Sequence, residues 1–304
     1  MTDILLVLGG FIALLFGGDY LVRGAVSFAR RWGVSPMVIG LTLVGFGTSV
    51  PELLTSLQAA LAGAPGIAVG NVIGSNIANI LLILGTAALI APIAVSRDTF
   101  ARDGAVLVAA TGLCIALALT GSFSRGNGVV FLIGLGGFLI FALRGGGNDE
   151  DLPPATSSLG LAAVMFIGGL LVTLLGAKLL VVGAVGMARG FGVSEAVIGL
   201  TVVAIGTSLP ELVTSVVAAR KGHSDIALGN IIGSNIFNIL GILGITALVK
   251  PIAVAAEIIQ FDIWVMGAAT VALLAVCMTG WRITRAEGGV MLAAYVAYLA
   301  WLGV

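Results

Sequence analysis

Two glutamates stand alone in long apolar segments of this 304-residue chain. Glu52 is the only charged residue between Trp32 and Ser96, and Glu211 the only one between Ala196 and Ala219. A charge at the centre of a bilayer costs roughly 2.5–3.5 kcal/mol on insertion scales. No Lys or Arg shares these segments, so a bound cation is the natural partner. The neighbours suit that chemistry. Thr48, Ser49, Thr207 and Ser208 carry hydroxyls. Pro51 and Pro210 lack an N–H, which leaves the carbonyls of Gly47 and Gly206 without helical donors. Such hard oxygens suit Na+ and Ca2+, whereas Zn2+ or Cu2+ would call for His or Cys.

The downstream segments add polar groups. Asn71, Ser75 and Asn79 recur at i, i+4, i+8, as do Asn230, Ser234 and Asn238. That spacing places each trio on one helical face. Two such faces meeting would complete a cage of oxygens. A structural reading competes. Ser49-Val50-Pro51-Glu52 also spells a capping box, Ser-x-x-Glu, and an Asn/Ser face can act as hydrogen-bonding glue between membrane helices. A cap usually sits at water, however, and this one lies inside an apolar run, twice.

Every one of these elements is duplicated. Residues 40–85 align with 199–244 at a constant offset of 159, without a gap and with well over half the positions identical. The two copies of the motif read Gly-Thr-Ser-x-Pro-Glu-Leu from Gly47 and Gly206, followed by Gly-Asn-x-Ile-Gly-Ser-Asn from Gly70 and Gly229. Weaker matches extend outward, pairing Gly24 with Gly183, Pro92 with Pro251 and Asp103 with Asp262. The repeat covers nearly the whole chain.

Composition sets the environment for these motifs. The chain is 59% hydrophobic and only 9% charged, where a soluble domain carries about 25% charged residues. Mean hydropathy is +1.19. Net charge is zero, so nothing suggests a nucleic-acid partner. The first apolar stretch has no basic leader before it and reads as a retained span. Cys114 and Cys277 sit in apolar runs as small buried side chains.

A span needs about 20 mostly apolar residues. Five candidates fall in each half, at 4–29, 36–62, 66–91, 104–121 and 126–143, then 159–188, 195–219, 225–249, 262–280 and 286–303. The expected fold is an all-α membrane protein of ten transmembrane helices. Its organisation is a first half over 1–143, a linker over 144–158 and a second half over 159–304. An odd number of spans per copy makes the repeat inverted, with broken helices 2, 3, 7 and 8 around a midplane ion site. Lys and Arg then choose the orientation. One side holds Arg30, Arg31, Arg97, Arg102, Arg144, Arg220, Lys221, Arg282 and Arg285; the other holds Arg125, Arg189 and Lys250. The basic side, with the 144–158 linker, is expected to be cytoplasmic, with both termini outside the cytoplasm.

The paired motifs resemble the two α-repeats of the sodium/calcium exchanger family, within the cation/calcium antiporter superfamily. The resemblance covers all ten expected spans and is closest to the compact prokaryotic type, since no regulatory calcium-binding loop is present. It implies a plasma-membrane antiporter, not an enzyme, exchanging several Na+ for one Ca2+ by alternating access, electrogenic if the ratio is three to one. Ca2+ and Na+ are then substrates, with no cofactor and no protein partner implied. The resemblance further implies that Glu52 and Glu211 ligate Ca2+, helped by the carbonyls of Thr48 and Thr207. Sodium would use the same carboxylates, with Ser49, Ser75 and the Gly45 carbonyl on one side and Ser208, Ser234 and the Ala204 carbonyl on the other. Asn79 and Asn238 would line the centre. Many relatives carry Asp where this chain has Asn238, which argues against potassium dependence. Proton/calcium antiporters on the same scaffold place Glu after Gly-Asn, where this chain has Val72-Ile73 and Ile231-Ile232. That favours Na+ over H+.

Other classes fit less well. The chain has one histidine, His223, and so no His-Glu-x-x-His zinc motif for an intramembrane enzyme. His223 reads as part of a solvated loop. A channel would not need obligate exchange. Asp19 and Lys178 occupy equivalent positions in the first span of each half and are candidates to pair across the two-fold or to reach the interface. The Gly-rich first spans of each half are expected to move against the central core.

Overall fold

A computed structural model describes residues 2–144, 158–191 and 204–303. The molecule is built from helices because polar backbone in an apolar bilayer must satisfy its own hydrogen bonds. Among the described residues, seven helices are long and apolar enough to cross a membrane. There are eight if the bent pair Pro36–Thr48 and Val50–Leu61 counts as one span. Of the ten expected spans, 195–219 lies partly outside the described residues. The last is an 18-residue helix, Arg285–Leu302, which carries Arg285 and Glu287 and is not among the seven.

In chain order, α1 (Thr2–Trp32) leads into α2 (Pro36–Ile39), a wider π turn over Gly40–Val44, and α3 (Gly45–Thr48). Helices α4 (Val50–Leu61) and α5 (Pro65–Ala78) follow, then a π segment over Asn79–Leu84 and α6 (Gly85–Ile90). Two peripheral helices close the first half, α7 (Arg97–Ala118) and α8 (Arg125–Arg144). The second half repeats the plan with α9 (Leu159–Gly190), α10 (Ala204–Thr207), α11 (Leu209–Arg220) and α12 (Ser224–Ile236). A π segment over Phe237–Leu243 leads into α13 (Gly244–Val249), and α14 (Ile263–Met278) and α15 (Arg285–Leu302) end the chain.

The expected break in the second span is present. The two pieces bend by 45° about Ser49, whose ψ of 9° leaves the helical region, with Pro51 opening the next helix. Ser208 and Pro210 repeat this geometry between α10 and α11. The expected breaks in helices 3 and 8 are not found. Pro65–Ile90 and Ser224–Val249 each run as one 26-residue span, because no proline falls inside them. A π turn widens each just after the Gly-Ser-Asn motif, a device frequent at functional sites.

Helices α1 and α9 pack antiparallel with their backbones in contact. A Cβ on Gly10 would lie 2.5 Å from the Leu180 nitrogen, on Gly17 2.5 Å from that of Thr173, and on Gly24 2.5 Å from that of Phe166. Rising numbers on one helix meet falling numbers on the other. The equivalent first helices of the two halves therefore run in opposite directions. The same directions place Lys178 opposite the Gly10 region and away from Asp19. The cross-pairing of Asp19 with Lys178 is thus not formed. Asp19 instead binds Arg23, at 2.7 Å, and Lys221.

Among the described residues, four two-residue strands, outside the all-helical expectation, tie the loops together. Ile93-Ala94 pairs antiparallel with Arg282-Ile283, and Ser122-Phe123 with Ile252-Ala253. Their ends separate the bundle into two poles. One pole gathers Arg97 over the Trp281 ring, Arg285 on the Ile90 carbonyl, and Lys221 beside Asp19. The other holds Lys250 on the Leu61 carbonyl and Arg125 on the Leu248 carbonyl. His223 sits at the first pole. Burial lowers its pKa, and the charges of Arg30 and Lys221 push the same way. It is half-buried rather than fully solvated.

Candidate functional site

Glu52 and Glu211 are carried on the first turns of α4 and α11, just past the two breaks. Each is 1% exposed. Ser49 and Ser208 do not cap their own helices. The Ser49 hydroxyl donates to Glu211 Oε1 at 3.0 Å, and the Ser208 hydroxyl to Glu52 Oε1 at 3.4 Å. The capping-box reading therefore fails. A serine that capped its own helix would accept from a nearby backbone N–H, whereas these serines donate to the carboxylate of the opposite half. The second oxygen of each carboxylate, Oε2, is buried with no hydrogen-bond partner among the described residues. A buried carboxylate oxygen left without a donor carries a large desolvation penalty. None of the ion pairs found among the described residues involves either glutamate.

The remaining candidate oxygens come from both halves. Thr48, Ser75, Asn79, Ser234 and Asn238 are all buried, and Thr207 is half-buried. The Ser234 hydroxyl donates to the Gly45 carbonyl at 3.2 Å. The Ser49 N–H bonds the same Gly45 carbonyl at 3.2 Å, so hydrogen bonds link Ser49, Gly45, Glu211 and Ser234 across the two halves. The physical reason is packing. Gly40 and Gly45 let the first broken segment lie directly on α12, where a Cβ on Gly45 would be 2.9 Å from the Ser234 nitrogen. Ala204 opens α10. At the centre, Asn79 Nδ2 donates to Asn235 Oδ1 at 3.0 Å, leaving Asn79 Oδ1 unpartnered. Both amide atoms of Asn238 are buried without partners among the described residues.

Asn71 and Asn230 depart from the oxygen cage expected of their face. Their amide nitrogens point at backbone. Asn71 Nδ2 donates to the Glu52 carbonyl at 3.1 Å and Ser56 Oγ at 2.8 Å. Asn230 Nδ2 donates to the Glu211 carbonyl at 3.4 Å and Ser215 Oγ at 2.9 Å. Helical spacing put them on the right face, but only packing showed which atom they present. Asn235 and the two serines were missed. Ser56 and Ser215 lie one turn beyond each glutamate at i+4, which was the available signal.

Helix α9 touches both breaks. A Cβ on Gly47 would meet Leu170 Cδ2 at 3.0 Å, and one on Gly206 would clash with the Val181 side chain. Glycine at these positions lets the long helix rest directly on the turns that carry the site.

A bundle of lipid-length helices around two buried carboxylates, with free oxygens and no basic partner among the described residues, defines a membrane ion carrier. A family profile described as "Sodium/calcium exchanger protein" matches residues 2–144 and 161–304. The chain belongs to this family of multi-pass membrane antiporters. It is 37% identical to the sodium/calcium exchanger MaX1 of Methanosarcina acetivorans, over 98% of this chain and 97% of that protein. It is 35% identical to the inner membrane protein YrbG of Escherichia coli, over 98% and 95% respectively. Its structure resembles that of the sodium-calcium exchanger NCX_Mj soaked with zero Na+ and Ca2+, with a TM-score of 0.89 and 36% identity over 99% of both chains.

Proposed function

We propose that this protein exchanges Na+ for Ca2+ across the plasma membrane by alternating access, with Glu52 and Glu211 as the shared ligands of both ions. The observation that carries the reading is the pair of buried carboxylates, each gripped by a serine of the other half and each with one oxygen free. Two carboxylates balance one Ca2+ or two Na+. Because the ligands are shared, the ions compete, and a ratio of three Na+ to one Ca2+ would move one net charge per cycle. Thr48, Thr207, Ser49, Ser208, Ser75, Ser234, Gly45 and Ala204 supply the remaining oxygens, and Asn79 and Asn238 line the centre. The names of MaX1 and NCX_Mj are consistent with Na+ coupling. With Asn at 238, no third acid stands at the centre to support a potassium site.

The test is Ca2+ uptake into proteoliposomes. Uptake is expected to follow an imposed Na+ gradient and to be unmoved by Li+ or K+ gradients. Uptake driven by a pH gradient alone would replace this reading with proton/calcium antiport on the same scaffold.

The same reading includes ten spans in two inverted halves, 1–143 and 159–304, joined by a cytoplasmic linker over 144–158. The antiparallel α1 and α9 support the inversion, as does the contact of equivalent residues Thr111 and Thr270, whose hydroxyls lie 3.4 Å apart. In the ten-span reading most loop Lys and Arg residues fall on the Arg97–Arg285 side, which supports placing it in the cytoplasm. Reporter fusions should therefore find the C-terminus outside the cytoplasm. A cytoplasmic C-terminus would reverse the orientation.

A further inference from the structure

We propose that Asn71 and Asn230 are positioning residues that hold the two glutamate-bearing turns in place and do not ligate the transported ions. The inference deepens the reading of Glu52 and Glu211 as the ion site and rests on it.

The orientation of each amide follows from its partner. A backbone carbonyl can only accept, so the atom facing the Glu52 and Glu211 carbonyls must be the donor Nδ2. That nitrogen also reaches the hydroxyl of Ser56 or Ser215, one turn further along the same helix. Each asparagine therefore spans two successive turns of the glutamate-bearing helix and fastens it to the next helix. The arrangement occurs in both halves at equivalent positions. Asn230 does more. Its Oδ1 lies 3.2 Å from the Thr48 hydroxyl, across the boundary between the halves, and shares that hydroxyl's single proton with the Val44 carbonyl at 3.0 Å. It joins α12 to α11 and to α3, the piece just before the first break. In both halves the atom turned to the glutamate-bearing helix is Nδ2, a donor that cannot ligate a cation.

A carboxylate that must meet a small ion at a fixed distance depends on such support. A site about 1 Å too loose loses much of its function even when every ligand is present. The clamp serves both ions because both use the same carboxylates.

Aspartate separates the two roles. It matches asparagine in shape but cannot donate when ionised. If Asn230 were an oxygen ligand, Asn230→Asp would preserve or strengthen cation binding. As a donor clamp, Asn230→Asp should behave like Asn230→Ala. The measurement is initial exchange rate in proteoliposomes against external Ca2+ and against external Na+. Both variants are expected to raise the KM for Ca2+ and for Na+ together, by at least about tenfold, the factor for loss of even one of the two Nδ2 bonds at roughly 1.4 kcal/mol. A KM for Ca2+ kept or lowered in Asn230→Asp would overturn the proposal. So would a shift confined to one ion. Asn71→Asp and Asn71→Ala, at a less buried position, give the same comparison if the Asn230 variants do not yield monodisperse protein. Absence of Na+-dependent Ca2+ uptake by the unmodified protein would instead overturn the ion-site reading itself.

Discussion

Glu52→Gln and Glu211→Gln are each expected to abolish exchange, to below about one hundredth of the unmodified rate. Each substitution keeps the shape and the hydrogen bond from the opposite serine, and removes one negative charge. Neutralising half of a buried divalent site forfeits at least about 3 kcal/mol, or a factor of at least about a hundred in affinity. Insertion should not suffer, because removing a charge from membrane depth lowers the cost of placing the helix there. The variants should therefore express, purify as monodisperse protein and unfold at or above the usual temperature while failing in a Ca2+ flux assay. Retained flux in either variant would end the assignment. A defect in only one would mean that the halves do not share a single site.

The second large effect concerns the contact between α1 and α9. Gly17→Val should reduce transport by at least about tenfold and lower the unfolding temperature. Gly168→Val should leave both nearly unchanged. A Cβ at 17 would lie 2.5 Å from the Thr173 backbone nitrogen, whereas one at 168 meets nothing within 4 Å. Overpacking of this kind costs about 1–3 kcal/mol, occasionally more, and here the obstacle is backbone that cannot rotate away. The pair Gly10 and Gly9 repeats the contrast about two turns away. Transport is expected to fall further than stability alone would explain. Helix α9 rests on Gly47 and Gly206, so a displaced pair carries its error straight to the turns holding Glu52 and Glu211. Equal transport in Gly17→Val and Gly168→Val would remove the helix pair from the mechanism.

Much of this was legible in the chain itself. A charge in an apolar run is costly wherever the run folds, so Glu52 and Glu211 stand out without coordinates. The offset of 159 pairs every motif, and Pro51 and Pro210 forecast the breaks because a missing N–H acts locally. The lipid environment follows from composition for the same reason. These are properties of single residues and near neighbours.

What only the tertiary structure decided are relations between distant segments. Spacing put Ser49 near Glu52 as readily as a cap, but the two halves interleave, and its hydroxyl goes to Glu211. Likewise Asn71 and Asn230 lie on the expected face, yet their amides are spent on backbone. Helices 3 and 8, expected to break, widen instead into π turns, since nothing in their interiors removes a hydrogen bond. Asp19 found Arg23 and Lys221 in place of Lys178 because α1 and α9 run antiparallel. Helical periodicity reports which side of a helix a residue occupies. It is silent on what that side meets, and which atom of an amide or hydroxyl is used depends wholly on what it meets.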